Sequence, residues 1–355
     1  MTSPFLWEAL PARVVLRRGA LDDVPAEVDR IGAGRLLLIG GGRSTADAMV
    51  RLRAGLGDRV AALYAEVAAH VPEENAGAAI AQAAAAGCDA VVSLGGGSAT
   101  GLGKVVARAG DIPLLAVPTT YAGSEMTPIW GLTASGRKTT GRDLRALPRT
   151  VVYDPDLCAG MPAQLAAASG MNALAHCAEA LWNARRNPMT SAIADEGARR
   201  LVGSLPRAVD DPGDVEAHTE NLVGACLAGT ALAQTGTGVH HRTCHVLAGD
   251  WGLPHAETHA VVLPHSAALV TGREADAAQA LRSLLGAGDG LAISLYAFAR
   301  RLELPASLRQ LGLAEADLEE AARRVVEALS ADPFGSDAGA VRRMVVGAWR
   351  GEAPA

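Results

Sequence analysis

The sequence predicts an α/β dinucleotide-binding domain with a parallel sheet, followed by an all-α domain. Short apolar runs alternate with helical patterns over the first 155 residues, whereas long Ala-, Leu- and Arg-rich amphipathic stretches dominate after them. Alternating strands and helices form parallel sheets that are covered on both faces. The length of 355 residues suits about two domains. We therefore predict domains at residues 1–155 and 156–355.

The predicted strands are apolar runs, several of which end in glycine or small hydroxyl residues. They are RLLLIGGG at 35–42, RVAALYAEV at 59–67, DAVVSLGGGS at 89–98 and IPLLAVPTT at 112–120. Helical spacing is found at 45–57 and 75–87, and in the second half at 162–182, 191–209 and 318–329. Parallel sheets of this kind bind ligands beyond the carboxyl ends of their strands.

Composition excludes several classes of function. Hydrophobic residues make up 49% and charged residues 20%, as in a soluble globular protein. The net charge of −6 argues against a general binder of nucleic acid or of anionic membranes. There is no signal-peptide pattern and no apolar run of about 18 residues. The five cysteines are scattered without a CxxC pair, so we expect reduced thiols in a cytoplasmic protein.

The glycine-rich segment SLGGGSATGLGK (Ser93–Lys104) follows a predicted strand and leads into a helix. Its glycines allow close approach of a ligand, Ser98 is placed as the N-cap, and unpaired N–H groups at a helix start bind phosphate. Lys104 is one of only two lysines in the chain. The spacing matches neither standard dinucleotide fingerprint. It predicts a pyrophosphate site, with an ordinary strand–helix turn as the alternative. The residues assigned to it are Gly95, Gly96, Gly97 and Ser98.

Two further segments are candidates for cofactor contacts. The loop PTTYAGSEMTP (Pro118–Pro128) offers small hydroxyl groups to a ribose or to the nicotinamide amide. The turn GGGRST (Gly40–Thr45) contains an arginine and no carboxylate that would bind the ribose hydroxyls of NAD, which favours acceptance of NADPH. The residues assigned to the cofactor here are Gly41, Gly42, Thr119, Thr120 and Ser124, and Lys138 is a further candidate for a cofactor contact.

Histidines are concentrated in the second half. Five of the nine lie in VHHRTCHVLAGDWGLPHAETH (Val239–His259), where His241 and His245 are four residues apart. Asn172 and His176 show the same spacing, which places each pair on one helix face. A lone histidine is usually structural, but several on converging segments indicate a functional pocket. The residues alone leave open whether that pocket holds a metal.

These segments together resemble the iron-containing (group III) alcohol dehydrogenase superfamily, which has the dehydroquinate synthase-like fold. The resemblance implies that the GGGS turn holds the pyrophosphate and that the PTT…GSE loop lines the nicotinamide. It places the family's four metal ligands at Asn172, His176, His241 and His255, and a proton-relay histidine at His245. The family's ligand at the first position is aspartate. An amide oxygen is a much weaker ligand than carboxylate, so the sequence predicts no required metal, although the three imidazoles could still hold zinc.

Within that superfamily, three segments resemble maleylacetate reductases: PTTYAGSEMTPIWGLT, KTTGRDLRALPRTVVYDPDL and GLPHAETHAVVLPH. The resemblance implies reduction of the activated C=C bond of 2-maleylacetate to 3-oxoadipate with NADH or NADPH, in the catabolism of aromatic compounds, by a cytoplasmic homodimer. The small dicarboxylate would need cationic partners, for which the candidates are Lys138 and Arg142, with Arg137 behind them. A solvated hairpin is the alternative for that segment.

We expect His241, His245, His176 and His255 to surround the substrate. His245 or His241 would donate the proton, and Asn172 would bind substrate or orient His176. The main alternatives are a metal-dependent alcohol or aldehyde dehydrogenase and a relative recruited to another activated alkene or imine in a specialised pathway. A sugar-phosphate cyclase or dehydroquinate synthase of the same two-domain plan and a non-catalytic dinucleotide-binding protein are more distant alternatives.

Overall fold

The computed structural model describes residues 5–10, 12–134, 137–271, 275–286 and 290–354. The described chain divides into two compact units. The first comprises Ala9–Gly160 and Gly213–Leu222, and the second contains Met161–Pro212 with the described residues of 1–8 and 223–355. The sequence-based boundary placed residues 213–222 in the second domain, whereas in the structure they belong to the first unit. The segment is held there by a buried hydrogen bond between the Tyr121 hydroxyl and His218 Nδ1.

The first unit is the predicted α/β domain. Its elements are β1 (Arg13–Leu16), α1 (Val24–Arg30), β2 (Leu36–Ile39), α2 (Ala46–Leu56), β3 (Val60–Tyr64), α3 (Glu73–Ala85), β4 (Ala90–Gly95), α4 (Gly97–Gly110), β5 (Leu114–Pro118), β6 (Ile129–Ala134), β7 (Arg137–Arg142) and β8 (Thr150–Tyr153).

Six of these strands form one parallel sheet in the order β1-β8-β5-β4-β2-β3. Alternate residues of β2 enter different cores. Leu36 and Leu38 pack with α1 and α2, whereas Leu37 and Ile39 pack with α3 and α4. The prediction of a parallel sheet covered on both faces is therefore confirmed. The strands β6 and β7 form a separate antiparallel pair.

The sheet order places a topological switch point between β2 and β4. From β2 the chain continues outward to β3, and from β4 it continues in the opposite direction to β5. Ligands of open α/β sheets bind at such a point, outside the carboxyl ends of the strands. The glycine turns after β2 and β4 are both at this edge.

Lys104 lies on α4 and is 1% exposed. Its ammonium donates to Ser124 O, to Thr127 Oγ1 at 3.0 Å and to Ile129 O at 2.9 Å. Burial lowers the pKa of Lys104 to about 7, against the raising effect of the buried Glu125 carboxyl. This lysine therefore holds the loop after β5 in place, and its hydrogen bonds go to protein groups.

The second unit is helical, and all eight strands of the described chain lie in the first unit. Its helices are α5 (Ala163–Trp182), α6 (Pro188–Asp210), the latter part of α7 (Val215–Thr235), α8 (Val239–Trp251), α9 (His255–Thr271), α10 (Ala275–Leu284), α11 (Leu291–Arg301), α12 (Leu318–Leu329) and α13 (Ala338–Arg350).

Two features of this unit position its histidines. Every residue of α5 from Ala166 to Trp182 is buried, so this helix crosses the core. Gly252 ends α8 in a left-handed conformation with φ 64°, which favours glycine, and Pro254 precedes the next helix. The first residue of α9 is consequently His255.

No single described helix is long and apolar enough to cross a membrane. The helices α7 and α8 meet the length and composition criteria only as a pair, and they are bent by 101° relative to each other.

Replacing Lys104 with methionine should reduce the free energy of unfolding by about 2–4 kcal/mol, because three acceptors lose the hydrogen bond from its buried ammonium at nearly constant side-chain volume. The measurement is urea unfolding followed by circular dichroism. Lys138→Met is the matched control, since the only other lysine is half-buried on β7. It should change stability by less than about 1 kcal/mol. Equal stability of Lys104→Met and wild type would contradict the structural role.

Candidate active site

One face of α5 carries three polar side chains inside the helical core. Asn172, His176 and Glu179 are spaced at i, i+4 and i+7, which places them on the same side of the helix. They are 5%, 5% and 0% exposed. A buried polar group is costly unless it is hydrogen-bonded, so the partners of these residues define the site.

Glu179 is the anchor of this face. Its Oε1 accepts from the main-chain N–H of His240 at 2.8 Å, and its Oε2 accepts from Nδ1 of His241. Burial alone would raise the pKa of Glu179. The charge and hydrogen bond of His241, with main-chain donors at Gly238 and His240, outweigh burial and hold the pKa below its usual range. The carboxyl group is therefore ionised.

This contact fixes which ring nitrogen of His241 can act. Nδ1 carries a hydrogen because it donates to the carboxylate, so proton exchange or ligand binding is confined to Nε2. Nε2 of His241 is buried and has no hydrogen-bond partner within the described residues. A buried nitrogen of this kind is available to a substrate, a proton or a cation.

A second chain of hydrogen bonds runs behind His241. Ser266 Oγ donates to Leu263 O at 3.0 Å, so it accepts from His240 Nδ1, also at 3.0 Å. His240 Nε2 then accepts from His259 Nδ1 at 2.9 Å. Burial lowers the pKa of His240 and of His259 well below the ordinary value, and neighbouring imidazoles lower each further. Both rings are neutral, which leaves a lone pair on His259 Nε2, a buried atom with no hydrogen-bond partner within the described residues.

The four predicted histidines belong to one cluster of six. Ring centroids are 4.9 Å apart for His176 and His241, 6.2 Å for His241 and His245, and 6.1 Å for His245 and His255. His259 lies between two of these histidines, with its ring centroid 4.8 Å from that of His241 and 4.5 Å from that of His255. The helices α5, α8 and α9 supply all members.

Glu179, His240 and His259 were not predicted as site residues. Two of them carried a signal in the sequence. Glu179 continues the spacing of Asn172 and His176 along an otherwise apolar helix, and His259 lies four residues after His255. The role of His240 depends on Ser266, twenty-six residues away, and only the packing of α8 on α9 reveals it.

The predicted cofactor residues lie together in the α/β unit. A Cβ atom on Gly41 would lie 2.5 Å from the main-chain oxygen of Ala65, so only glycine fits this turn. A Cβ atom on Gly96 would lie 3.1 Å from Thr120 Cγ2. The structure therefore brings the turn after β4 into contact with the hydroxyl loop after β5. The cofactor role of these residues stays a prediction.

The helix that follows the glycine turn begins one residue earlier than predicted. Its first residue is Gly97 and the preceding cap position is Gly96, so the prediction of Ser98 as the N-cap is wrong. Gly97 adopts the helical conformation and moves the boundary toward the strand. Ser98 lies in the first turn, where main-chain N–H groups have no partner within the helix and can bind an anion.

Lys138 and Arg142 lie on β7, four residues apart and therefore on the same face of the strand. Lys138 is half-buried and pairs in register with Thr133, whereas Arg142 and Arg137 are exposed. Burial lowers the pKa of Lys138. Both candidate residues belong to the α/β unit and the six histidines belong to the helical unit.

The four positions that the resemblance assigns to a metal do not fit an iron site here. Asn172 supplies a neutral amide in place of the carboxylate, which removes the anionic ligand. In the described part of the chain, the three imidazoles with ligand nitrogens within 4.8 Å of one another are His240, His241 and His259. Only His241 is shared between that group and the family positions.

Glu179→Gln should reduce the free energy of unfolding by about 2–4 kcal/mol, because the amide NH₂ would face main-chain donors that the carboxylate now accepts from. Urea unfolding measures the change. Glu196→Gln on α6 is the control, since Glu196 forms surface ion pairs with Arg199 and Arg200. The control should cost at most about 1 kcal/mol. A Glu179→Gln protein as stable as this control would contradict the anchoring role.

Comparison with known proteins places the chain in a family. The pattern of the iron-containing alcohol dehydrogenases matches residues 11–155, and that of the Fe-containing alcohol dehydrogenase family, C-terminal, matches residues 166–335. Maleylacetate reductase from Burkholderia cepacia is 41% identical over 350 residues, which is 99% of each chain. Its counterpart from Rhizobium sp. (strain MTP-10005) is 44% identical over 331 residues, covering 93% of this chain and 92% of the relative.

A solved structure agrees with these relatives. The crystal structure of maleylacetate reductase from Agrobacterium tumefaciens superposes with a TM-score of 0.91 at 41% identity, over 99% of this chain and 100% of the other. The chain is thus an oxidoreductase, and it belongs to the iron-containing alcohol dehydrogenase family, in its maleylacetate reductase branch.

Proposed function

We propose that this chain reduces the activated C=C bond of 2-maleylacetate, or of a closely related unsaturated oxo-acid, to give 3-oxoadipate with NADH or NADPH. The observation that carries the proposal is the buried imidazole cluster fixed by Glu179, together with the full-length similarity to maleylacetate reductases. The cluster can supply a proton and hydrogen bonds to a developing negative charge.

The reaction needs one hydride and one proton. Hydride from C4 of the reduced nicotinamide adds to the alkene carbon β to the ketone, and the electron pair of the C=C bond becomes an enolate. A proton added to the α carbon restores the ketone and gives the saturated product. Stabilising the enolate oxygen is the main electrostatic demand, because negative charge grows there in the transition state.

His241 suits that demand because Glu179 holds its Nδ1. Nδ1 of His241 already carries a hydrogen, so a second proton can bind only at Nε2. That nitrogen has no partner within the described residues. His241 or His245 would supply the proton, and His176 and His255 would complete the wall of the pocket. Asn172 would hydrogen-bond the substrate or orient His176. Lys138 and Arg142 are proposed to bind the two carboxylates.

The proposed reaction requires no Lewis acid. Alcohol oxidation benefits from a metal that lowers the pKa of the hydroxyl group, whereas conjugate reduction can be assisted by hydrogen bonds and imidazolium charge. We therefore propose metal-independent reduction, in keeping with the loss of the carboxylate ligand at Asn172. The resemblance also supports a cytoplasmic homodimer, which sedimentation velocity on the purified protein would test for its oligomeric state.

Coenzyme binding is proposed at the switch point of the sheet. The pyrophosphate would lie at Gly95, Gly96, Gly97 and Ser98 with Gly41 and Gly42 beside it, and Thr119, Thr120 and Ser124 would face the ribose or nicotinamide. The turn after β2 contains Arg43 and no acidic residue, so the 2′-phosphate of NADPH meets no repulsion there.

Oxidation of NADH and NADPH should be rapid with 2-maleylacetate and slow with simple aldehydes, and it should persist in protein treated with a chelator. The assay is the absorbance of the reduced nicotinamide, with 3-oxoadipate identified by mass spectrometry. Turnover of aldehydes but not of maleylacetate, lost on chelation, would support a metal-dependent alcohol or aldehyde dehydrogenase instead. Turnover of neither would favour a related activated alkene or imine as substrate.

Asn172→Asp should raise the affinity for Fe²⁺ or Zn²⁺ and lower the reductase activity, because a carboxylate completes a cation site and repels a dianionic substrate. Metal affinity is measured by competition with a chromophoric chelator, and activity by coenzyme oxidation. Asn172→Ala is the control, since it removes the amide without adding charge and should not raise metal affinity. Unchanged metal affinity in Asn172→Asp would count against this interpretation.

A further inference from the structure

Three fully enclosed imidazoles lie together at the junction of α8 and α9. His240, His241 and His259 are at most 3% exposed, and one ligand nitrogen from each lies within 4.8 Å of those of the other two. Their ring centroids are 5.3, 4.9 and 4.8 Å apart, with rings inclined at 90°, 66° and 62°. Three imidazoles bound to one tetrahedral zinc have centroids about 5 Å apart, because each zinc–nitrogen bond is about 2.0–2.1 Å.

Hydrogen bonds to Nδ1 already orient two of the three rings, those of His240 and His241. Nδ1 of His241 donates to the Glu179 carboxylate, and Nδ1 of His240 donates to Ser266 Oγ. Hydrogen bonds of this kind fix the tautomer of metal-binding histidines and point the other nitrogen at the ion. Both rings therefore present Nε2. The carboxylate of Glu179 also places a negative charge one ring away from the site, which partly offsets the cost of enclosing a dication.

We propose that His240, His241 and His259 form a binding site for a tetrahedral divalent cation of the zinc type, which shares only His241 with the family's metal ligands. The cation takes the place of the hydrogen between His240 Nε2 and His259 Nδ1. That hydrogen moves to His259 Nε2, so the rings of His240 and His259 both stay neutral. No proton has to leave the core when the cation binds. A separation of 2.9 Å between these two nitrogens has to widen by only a few tenths of an ångström.

Occupation of this site has a consequence for the reductase. A cation on His241 Nε2 removes the nitrogen that the proposed reaction uses, so zinc acts as an inhibitor. This consequence rests on the proposed function, whereas binding of the cation does not. Measuring metal binding without any substrate therefore distinguishes failure of the cation site from failure of the proposed function.

The test is titration of the full-length, chelator-treated protein with Zn²⁺ against a chromophoric chelator, and with Co²⁺ followed by visible absorption. Wild type should bind one equivalent, and Co²⁺ should give the intense bands of a tetrahedral site. His240→Gln and His259→Gln should lower the affinity about tenfold or more, and Glu179→Gln about 10–100-fold as an orienting partner. His176→Gln and His255→Gln are matched controls that should retain binding.

Absence of binding by wild type, or loss of binding in His176→Gln and His255→Gln but not in His259→Gln, would overturn the proposal. Anomalous diffraction from a wild-type crystal soaked in Zn²⁺ gives the same decision without any variant. A peak among His240, His241 and His259 supports the site, and a peak between His176 and His255 contradicts it. Inhibition of maleylacetate reduction by Zn²⁺, reversed by chelator, should accompany occupancy.

Discussion

The contact between the Glu179 carboxylate and His241 is the interaction on which the helical unit's site depends. A carboxylate that is 0% exposed is tolerated because His241 Nδ1 and the main chain at His240 donate to it. It joins α5 to the start of α8 and leaves Nε2 as the ring nitrogen of His241 without a partner within the described residues. The family's catalytic metal would be coordinated at this same imidazole. In this chain Glu179 holds Nδ1 of that imidazole, and Nε2 is the nitrogen that we propose carries the proton.

In the α/β unit the main constraint is close packing around the glycine turns after β2 and β4 and the hydroxyl loop after β5. The main-chain oxygen of Ala65 excludes a side chain at Gly41, and the Thr120 side chain crowds one at Gly96. The buried ammonium of Lys104 donates to three acceptors in and just after the loop that follows β5. A rigid loop beside a helix N-terminus is suited to recognise phosphate and ribose with little entropy lost on binding.

Much of the fold could be predicted because its signals are local. The strands β2, β4 and β5 are continuous apolar runs that end in glycine or threonine, and their alternation with helices determines a parallel sheet. The strands β1 and β8 are short and lack such endings, and the polar strand β7 resembles part of a solvated hairpin. Ser98 was misplaced as a cap because element boundaries vary by a residue or two.

The sequence predicted most of the histidines of the site but not the hydrogen bonds that orient them. Spacing of four residues along a helix found His176, His241 and His245, and the family resemblance added His255. The structure brings all four into one cluster. The partners of these residues come from other helices. The Ser266–His240–His259 chain and the inward turn of Lys104 depend on which faces pack together, and no local pattern in the sequence reports that.

The most direct measurement of the central claim is neutron diffraction from a deuterated crystal of the wild-type protein at neutral pH, which locates the exchangeable hydrogens of the cluster. Deuterium is expected on Nδ1 of His241, His240 and His259, with the Glu179 carboxylate bare. Deuterium on Glu179, or a His241 ring whose Nδ1 is bare, would contradict a carboxylate-fixed imidazole with Nε2 as its working nitrogen.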